Sequence, residues 1–432
     1  MSLMKSAFTV GSFTLISRIF GYIRDILIAS HLGAGFLADA FFVAFRLPNL
    51  FRQLSAEGAF SNAFIPMFAG KLEKEGQKHA LEFAGHILSL MLIILSALTI
   101  FMILFMPAIM HVLAPGFVDN PEQFATIVQF GRIIFVYIIF ISVSALLGGI
   151  LNSMGRFAAF ASVPIIFNVI LILTLIFHGG ITQNAAISLI WGVVIAGIFQ
   201  LSWMMIFMIR ANVRLKLKKP KIYDDVKTLM RRMVPGLIGG GVTQANLWIN
   251  TIIATFMPGA VSYLYYADRL VQFPLAIIGT AIGTALLPLL SKQIKSGGAD
   301  AIKTQNQALS AVLLLSIPAA FALITISEPL IRIMFERGQF SALETTATAK
   351  ALMAYSLGLP AFMLIKIFAP NFFARGDTKT PLKIAIICLF ANVILSISLM
   401  QIIGHVGMAI ATSLSSWLNA SLLIFILIKK GL

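Results

Sequence analysis

Long apolar runs, separated by short breaks rich in glycine, proline and charge, dominate the chain. Each run is long enough for a membrane-spanning helix, which needs about 20 residues. Strands of a membrane barrel would alternate at every second position, and these runs do not. The pattern predicts an all-α polytopic membrane protein with about twelve transmembrane helices. They lie near 6–29, 36–66, 81–112, 126–150, 157–177, 184–209, 232–256, 262–290, 307–330, 347–369, 381–402 and 406–428.

Composition agrees with a membrane protein. Hydrophobic residues make up 59% of the chain and charged residues 11%, whereas soluble domains carry about 25% charged residues. This excludes an ordinary soluble enzyme, a disordered chain and a disulfide scaffold, and Cys388 is the only cysteine. The first run contains Arg18, Arg24 and Asp25 and no small-residue cleavage site, so we expect a helix and not a cleaved signal peptide.

The distribution of basic residues predicts the topology. With a cytoplasmic N-terminus, 22 of the 32 Lys and Arg fall in cytoplasmic segments, three fall outside (Arg332, Arg337 and Lys350), and seven lie within the runs. This bias predicts that both termini lie in the cytoplasm. It also explains most of the net charge of +16 without nucleic acid. We expect the basic cluster at 210–232 to meet anionic membrane lipids.

The two halves of the sequence resemble each other at offsets of 221 to 224 residues. Such an internal repeat predicts two pseudo-symmetric six-helix lobes, 1–215 and 222–432. Parallel repeats of this kind build transporters with a central site between the lobes. The matched pairs are 44–47 with 267–270, 64–66 with 286–288, Phe117 with Phe340, Gly155 with Gly376, and 168–171 with 392–395.

Seven basic residues lie within apolar runs, where each costs about 2.5–3.5 kcal/mol to bury. They are Arg18, Arg24, Arg46, Arg52, Arg132, Arg269 and Lys366. We interpret Arg132 and Lys366, which are isolated, as structural. Four of the others lie in the first two helices, where they outnumber acids. Because pairing cannot neutralise them all, and guanidinium groups suit phosphate, the pattern favours a cavity for an anion.

Further polar residues accompany these arginines. Helical spacing places Asp39, Arg46, Asn49, Gln53 and Glu57 on one face of the second helix, where Pro48 should bend it. We expect the acids Asp25, Asp39 and Glu57 to act as gate contacts or to pair with arginines. The complete set of predicted gating or supporting residues is Ser17, Asp25, Asp39, Arg46, Asn49, Glu57, Gln244 and Asp268.

Several stretches resemble the MurJ/MviN family of lipid II flippases, within the multidrug/oligosaccharidyl-lipid/polysaccharide exporter superfamily. The resemblance runs through essentially the whole chain and is most specific in its first 120 residues. The stretches are 17–25, Gly33-Ala-Gly35, 39–49, Arg52, 56–61, 64–66, 113–117, 267–274 and Phe335-Glu-Arg-Gly-Gln-Phe340.

The resemblance implies translocation of lipid II, an undecaprenyl-pyrophosphate-linked precursor of peptidoglycan, from the inner to the outer leaflet by alternating access. It makes Arg24, Arg52 and Arg269 the cavity arginines for the pyrophosphate, with Arg18 as a further substrate contact. It implies a place in the bacterial inner membrane and a role in cell wall biogenesis and cell shape, with cell-wall synthesis proteins as candidate partners. Family members often carry two more helices, which form a groove for the lipid tail, and some have a sodium site in the second lobe.

No cofactor or metal is predicted. The seventh helix has no carboxylate, and the six histidines form no ligand cluster with acids. Two alternatives to a lipid II flippase stay open: another exporter of the superfamily, for drugs or polysaccharide-lipid, and a membrane enzyme acting on lipid pyrophosphate. The excess of arginine argues against cationic cargo, and no phosphatase or transferase motif surrounds Asp25 and Asp39.

Overall fold

The computed structural model describes the backbone of residues 3–53, 58–181, 184–221, 223–295 and 299–431. In these ranges every regular element is a helix. Eight helical stretches among the described residues are long and apolar enough to cross a membrane. They are Ala59–Leu113, Pro121–Ser153, Ala158–Ile176, Ala185–Arg210, Asp300–Thr325, Ala342–Ala374, Lys379–Ile403 and His405–Lys429. The chain is therefore an all-α, multi-pass membrane protein, while the number twelve stays a prediction.

The helices form two compact units. The first contains residues 1–32 and 36–244, and the second contains residues 33–35 and 245–432. Nine helices of the first unit are α1 (Leu3–Leu32), α2 (Phe36–Phe51), α3 (Ala59–Leu113), α4 (Pro121–Phe135), α5 (Tyr137–Ser153), α6 (Ala158–Ala161), α7 (Val163–Ile176), α8 (His178–Ile181) and α9 (Ala185–Arg210).

The helix α10 (Asp224–Ala254) begins in the first unit and ends in the second. A π-helical turn, Leu275–Gly279, follows Pro274, whose ring nitrogen cannot donate the usual helical hydrogen bond. The remaining helices are α11 (Ala260–Pro274), α12 (Thr280–Lys295), α13 (Ala299–Thr325), α14 (Ser327–Phe335), α15 (Ala342–Ser356), α16 (Leu359–Ala374), α17 (Lys379–Ile403) and α18 (His405–Lys429).

The second and third predicted helices differ from the structure in where they break. The predicted run 36–66 is divided, because α2 ends at Phe51, one turn after the buried Pro48. The predicted polar break after 66 is helical, and α3 continues to Leu113. A straight helix of that length would span about 80 Å, far more than a bilayer core. The helix changes direction at Gly76, whose φ of 83° lies in the left-handed region that glycine adopts readily.

Glycines allow the helices of the first unit to approach closely, as is common in membranes. A Cβ added at Gly148 of α5 would lie 2.3 Å from the ring of Phe160, and one at Gly197 of α9 would lie 2.8 Å from the ring of Tyr137. As a result α5 is buried along most of its length between α3 and α9. Many apolar side chains elsewhere are exposed, for example Leu104 of α3, as expected of a lipid-facing surface.

The first unit extends beyond the predicted boundary at 215–222. Residues 213–221, which have no regular secondary structure, run along α3, where Lys218 pairs with Glu82 at 3.2 Å. The start of α10 is held in the same way, because Asp225 pairs with Lys71 at 2.9 Å. These contacts explain why the unit reaches Gln244.

Positions matched by the internal repeat have similar environments in their own units. Gly155 and Gly376 both follow a helix with positive φ, 75° and 74°. Phe117 and Phe340 are both buried, and so are Asn168 of α7 and Asn392 of α17. Similar backbone conformation and burial at matched positions fit a duplicated six-helix plan.

Candidate substrate-binding site

Arg24 lies at the centre of a buried polar network in the first unit. Its Nε and Nη2 donate to Oδ1 of Asp25 at 3.0 and 2.6 Å, and its Nη1 donates to Oδ1 of Asn168 at 2.9 Å. Arg24 is 7% exposed and Asp25 1%. A buried cation in an apolar segment needs such partners, because desolvation is otherwise too costly.

Asn168 joins α7 to two turns of α1. Its Oδ1 accepts from Arg24, and its Nδ2 donates to the backbone carbonyl of Ser17 at 2.9 Å. Gly21 lies between these two attachment points, and a Cβ there would be 3.6 Å from the same nitrogen. One amide therefore fixes the predicted residues Ser17 and Arg24 relative to each other.

Arg18 has a different environment from Arg24. It is exposed on α1 beside Leu15 and Ile19, which are 61% and 53% exposed. In the described part of the chain, no hydrogen bond or ion pair reaches its guanidinium. Its charge is therefore available to a ligand or to the surrounding headgroups.

The predicted polar face of α2 is partly buried. Asp39 is fully buried in the first turn, and Arg46 is half-buried. Arg52 lies just beyond the helix, where its Nε donates to Oδ1 of Asn49 at 3.0 Å. Glu57 lies outside the described residues.

Gln244, near the middle of α10, belongs to the same unit. Its Nε2 donates to Oε1 of Gln53, the residue after Arg52. Thus the structure brings together two groups of predicted residues in this unit: Ser17, Arg24 and Asp25 on α1, and Asn49, Arg52 and Gln244 around the end of α2.

In the second unit, Arg269 of α11 is held by Tyr265, one turn earlier. Its Nε and Nη2 donate to the phenol oxygen at 3.1 and 2.6 Å, and its guanidinium carbon lies 4.8 Å from the ring centroid. Asp268 is exposed and accepts from Gln272 at 3.5 Å. Tyr265 orients the arginine without neutralising its charge, since a phenol is uncharged at neutral pH.

A neutral polar cluster lies deeper in the second unit. Asn250 of α10 accepts from Ser396, and Asn392 donates to Thr412 and Ser415. These are amides and hydroxyls, without a carboxylate. Among the described residues no three His, Cys, Asp or Glu side chains are grouped as metal ligands.

Sequence reasoning missed the side chains that position the arginines. Asn168 was recognisable only as a repeat-matched residue, and Tyr265 only as one aromatic among many. A polar residue inside an apolar run is a usable signal, because it needs a partner within the membrane. Asn168 satisfies that condition, while Tyr265 becomes apparent only from its contact with Arg269.

Comparison with known proteins identifies the family. A family model described as "MurJ: Lipid II flippase MurJ" matches residues 28–432. The chain belongs to the MurJ family. Curated relatives include a probable lipid II flippase MurJ from Rhizobium meliloti, 44% identical over all of this chain and 82% of the relative. The lipid II flippase MurJ of Burkholderia cenocepacia is 36% identical over all of this chain and 85% of its own length.

Solved structures agree with this membership. A lipid II flippase MurJ in an inward closed conformation matches with a TM-score of 0.81 and 27% identity, over 97% of this chain and 87% of that one. An inward-facing multidrug transporter of the MATE family, from the MOP superfamily, matches with a TM-score of 0.79 and 13% identity over 97% of both chains. The second likeness concerns the fold alone.

Proposed function

We propose that this protein translocates lipid II from the inner to the outer leaflet of the bacterial cytoplasmic membrane. The observation that carries the proposal is its membership of the MurJ family, with relatives named lipid II flippases at 44% identity along the whole chain. In this function lipid II is the partner, and membrane lipids surround the protein. The protein makes and breaks no covalent bond and needs no resident cofactor.

The arginines supply the chemistry for a pyrophosphate. Arg24 and Arg52 belong to the first unit and Arg269 to the second, and each is oriented by a neighbouring polar side chain. A planar guanidinium can bridge two phosphate oxygens, whereas an ammonium acts as a point charge. We assign these three arginines to the pyrophosphate, with the exposed Arg18 as a further contact.

In this proposal the transport cycle follows alternating access. The pyrophosphate and sugars would be carried among polar side chains while the polyprenyl tail stays in lipid. The buried Asp25 keeps the charge of Arg24 partly neutralised in the present state. An arriving pyrophosphate would compete with that carboxylate for the guanidinium of Arg24. Asp39, Arg46, Asn49, Glu57, Gln244 and Asp268 are assigned supporting or gating roles.

Two other functions make different predictions. A drug exporter of the same fold would accept cations, which the excess of arginine disfavours. An enzyme acting on lipid pyrophosphate would release a chemical product in detergent, where a flippase would release none. The proposed orientation, with both termini in the cytoplasm, rests on the distribution of Lys and Arg.

The decisive experiment replaces the arginines. Arg24→Ala, Arg52→Ala and Arg269→Ala should each abolish lipid II export while the protein still accumulates in the membrane. The Lys variants should also be impaired, because they keep the charge but lose the bidentate geometry. Export is measured by leaflet-specific labelling of lipid II in cells depleted of their own flippase, and binding is measured on purified protein.

Arg132→Ala is the control. Arg132 is an arginine within a predicted span that donates to the carbonyl of Ile103 at 3.1 Å. Among the described residues it shares no hydrogen bond or ion pair with a predicted site residue. The variant should export nearly normally. Lipid II binding that stays unchanged in all three site variants would show that these arginines stabilise the helices and do not bind the cargo.

A further inference from the structure

A three-residue turn between α1 and α2 is built into the second unit. Residues Gly33, Ala34 and Gly35 belong to that unit, although the helices on either side belong to the first. Ala34 is 1% exposed. A turn at a helix junction is usually a solvated surface element, so burial of this one calls for an explanation.

Glu344, in the first turn of α15, binds the turn through its backbone. Its Oε1 accepts from the amide of Ala34 at 2.7 Å, across 310 positions of sequence. Its Oε2 accepts from the amide of Ser341 at 2.6 Å, as part of a capping box that closes the start of α15. One carboxylate therefore serves two backbone donors, one within its own helix and one in the turn.

The fit around the turn is tight. Gly33 has a φ of 63°, and a Cβ there would lie 2.8 Å from the carbonyl oxygen of Gln339. A Cβ at Gly259 would lie 2.6 Å from the carbonyl oxygen of Ala34. Tyr266 donates from its phenol to the carbonyl of Gly33 at 3.2 Å.

The aromatic support beneath the turn comes from a second stretch of sequence. The ring of Tyr266 packs against Phe335 and Phe340 at 5.0 and 5.6 Å between centroids, and all three are at most 1% exposed. Phe335 to Phe340 and Gly33 to Gly35 are two of the stretches that carry the family resemblance. These two stretches contact each other here.

We propose that Glu344 is a positioning residue, whose carboxylate reversibly holds the 33–35 turn during the transport cycle. The capping box keeps the carboxylate in place when Ala34 leaves, so its side chain need not be ordered again for the contact to re-form. The charged acceptor strengthens the bond to the amide. The reversible part of this proposal rests on the proposed flippase function.

The test measures amide hydrogen exchange in the purified full chain in nanodiscs. Glu344→Gln is the informative variant, because glutamine still completes a capping box but its NH₂ end cannot accept from a second amide. Exchange of the peptide that contains Ala34 should rise about tenfold, since a hydrogen bond to a charged group is lost. Glu328→Gln, which removes an exposed acid paired with Arg332 in the same unit, should leave that peptide unchanged.

Two outcomes would overturn the assignment. Unchanged exchange at both Ala34 and Ser341 in Glu344→Gln would show that the bond does not hold the turn. An equal rise in Ser341→Ala, which weakens the helix cap and keeps the carboxylate, would show that the effect arises from the end of α15. Neither comparison uses cargo, so this result is separate from the arginine test of the flippase function.

A separate measurement tests whether the bond between Glu344 and Ala34 is reversible. Lipid II added to the wild-type protein should raise exchange at Ala34, because cycling breaks the bond. If other peptides of the second unit respond to lipid II while Ala34 does not, the turn is a fixed part of that unit and the reversible role is wrong.

Discussion

The carboxylate of Asp25 takes up part of the charge that the buried Arg24 offers to a ligand. Both hydrogen bonds between them end on the same oxygen, Oδ1. Because the two residues are adjacent on α1, the pairing survives any rigid movement of that helix. A pyrophosphate must therefore share Arg24 with Asp25 or displace it.

Asp25→Asn should raise the affinity for lipid II several-fold, since the amide keeps the shape of the side chain but not its charge. It should also lower the melting temperature of the ligand-free protein, because the buried guanidinium of Arg24 loses the charge of Asp25 beside it. Binding and thermal unfolding of purified protein check both effects, with Asp119→Asn, an exposed acid, as the control. Equal affinity in the variant and wild type would mean that Arg24 does not bind the pyrophosphate.

Asp377, between α16 and α17, stabilises the start of α17. Its carboxylate accepts from the amide of Thr380 at 3.0 Å and from its hydroxyl at 2.7 Å, and Lys430 donates to it at 2.9 Å. The backbone bond from Thr380, then the bond from Lys430, hold the pKa of Asp377 well below its ordinary value. The folded state therefore favours the ionised carboxylate.

Asp377→Ala should lower stability by about 0.5–2 kcal/mol, the usual cost of losing a capping side chain. A depressed folded-state pKa contributes stability above the unfolded pKa of about 4, and this contribution is lost as pH falls through the folded value. The difference in melting temperature from wild type should be constant from about pH 8 to 5 and should narrow below about pH 4. Asp119→Ala should show no such difference at any pH.

The sequence predicts the contacts of some site residues and not of others. The charge pattern predicts that acids pair with arginines on α1. The ion pair between Arg24 and Asp25 agrees with this prediction. The partners Asn168 and Glu344 were not foreseen, because their contacts join residues 144 and 310 positions apart. Helical periodicity describes one helix at a time, so it carries no information about such pairs.

At the scale of elements, the segment 213–221 is held against α3 through a glycine. A Cβ at Gly85 would lie 2.4 Å from the carbonyl oxygen of Lys216, so any larger residue must displace backbone. His86 of α3 adds a hydrogen bond between its Nδ1 and the carbonyl of Lys219 at 2.9 Å. The basic segment 213–221 is therefore packed tightly against α3.

Gly85→Ala should loosen the packing of segment 213–221 and destabilise the protein by about 1–3 kcal/mol, the usual cost of overpacking. Limited proteolysis at the basic residues of 214–221 should become faster. Gly70→Ala on the same helix is the matched control, because nothing lies within 4 Å of a Cβ there. That change should be neutral or slightly stabilising, as alanine favours helix. Equal proteolysis of both variants would contradict the packing argument.

Most elements could be predicted from the apolar runs, and their breaks less well. The run 184–209 corresponds to α9 and the run 381–402 to α17, each within two residues. The change of direction in α3 was predicted as a polar break, yet the helix continues and only Gly76 departs from helical conformation. Polar residues end a membrane span without necessarily ending a helix, so hydropathy alone misplaces that boundary.

For the whole molecule, orientation in the membrane is the main prediction still to be measured. Single cysteines at Gly179 and Lys78, both exposed, are placed in a Cys388→Ala background. In intact cells an impermeant thiol reagent should label position 179 and not position 78, because the basic residues assign 78 to the cytoplasm. Labelling of position 78 alone would reverse the topology.

Because the 33–35 turn belongs to the second unit, cutting the chain between its two halves would remove the turn from that unit. A polypeptide of residues 245–432 expressed alone would lack three residues of its own unit. The acceptor Oε1 of Glu344 would lose its amide, Tyr266 would lose the carbonyl of Gly33, and the space beside Gly259 would be empty. Complementation between split halves should therefore require the N-terminal fragment for folding of the C-terminal one, even though the internal repeat predicts that both halves share one plan.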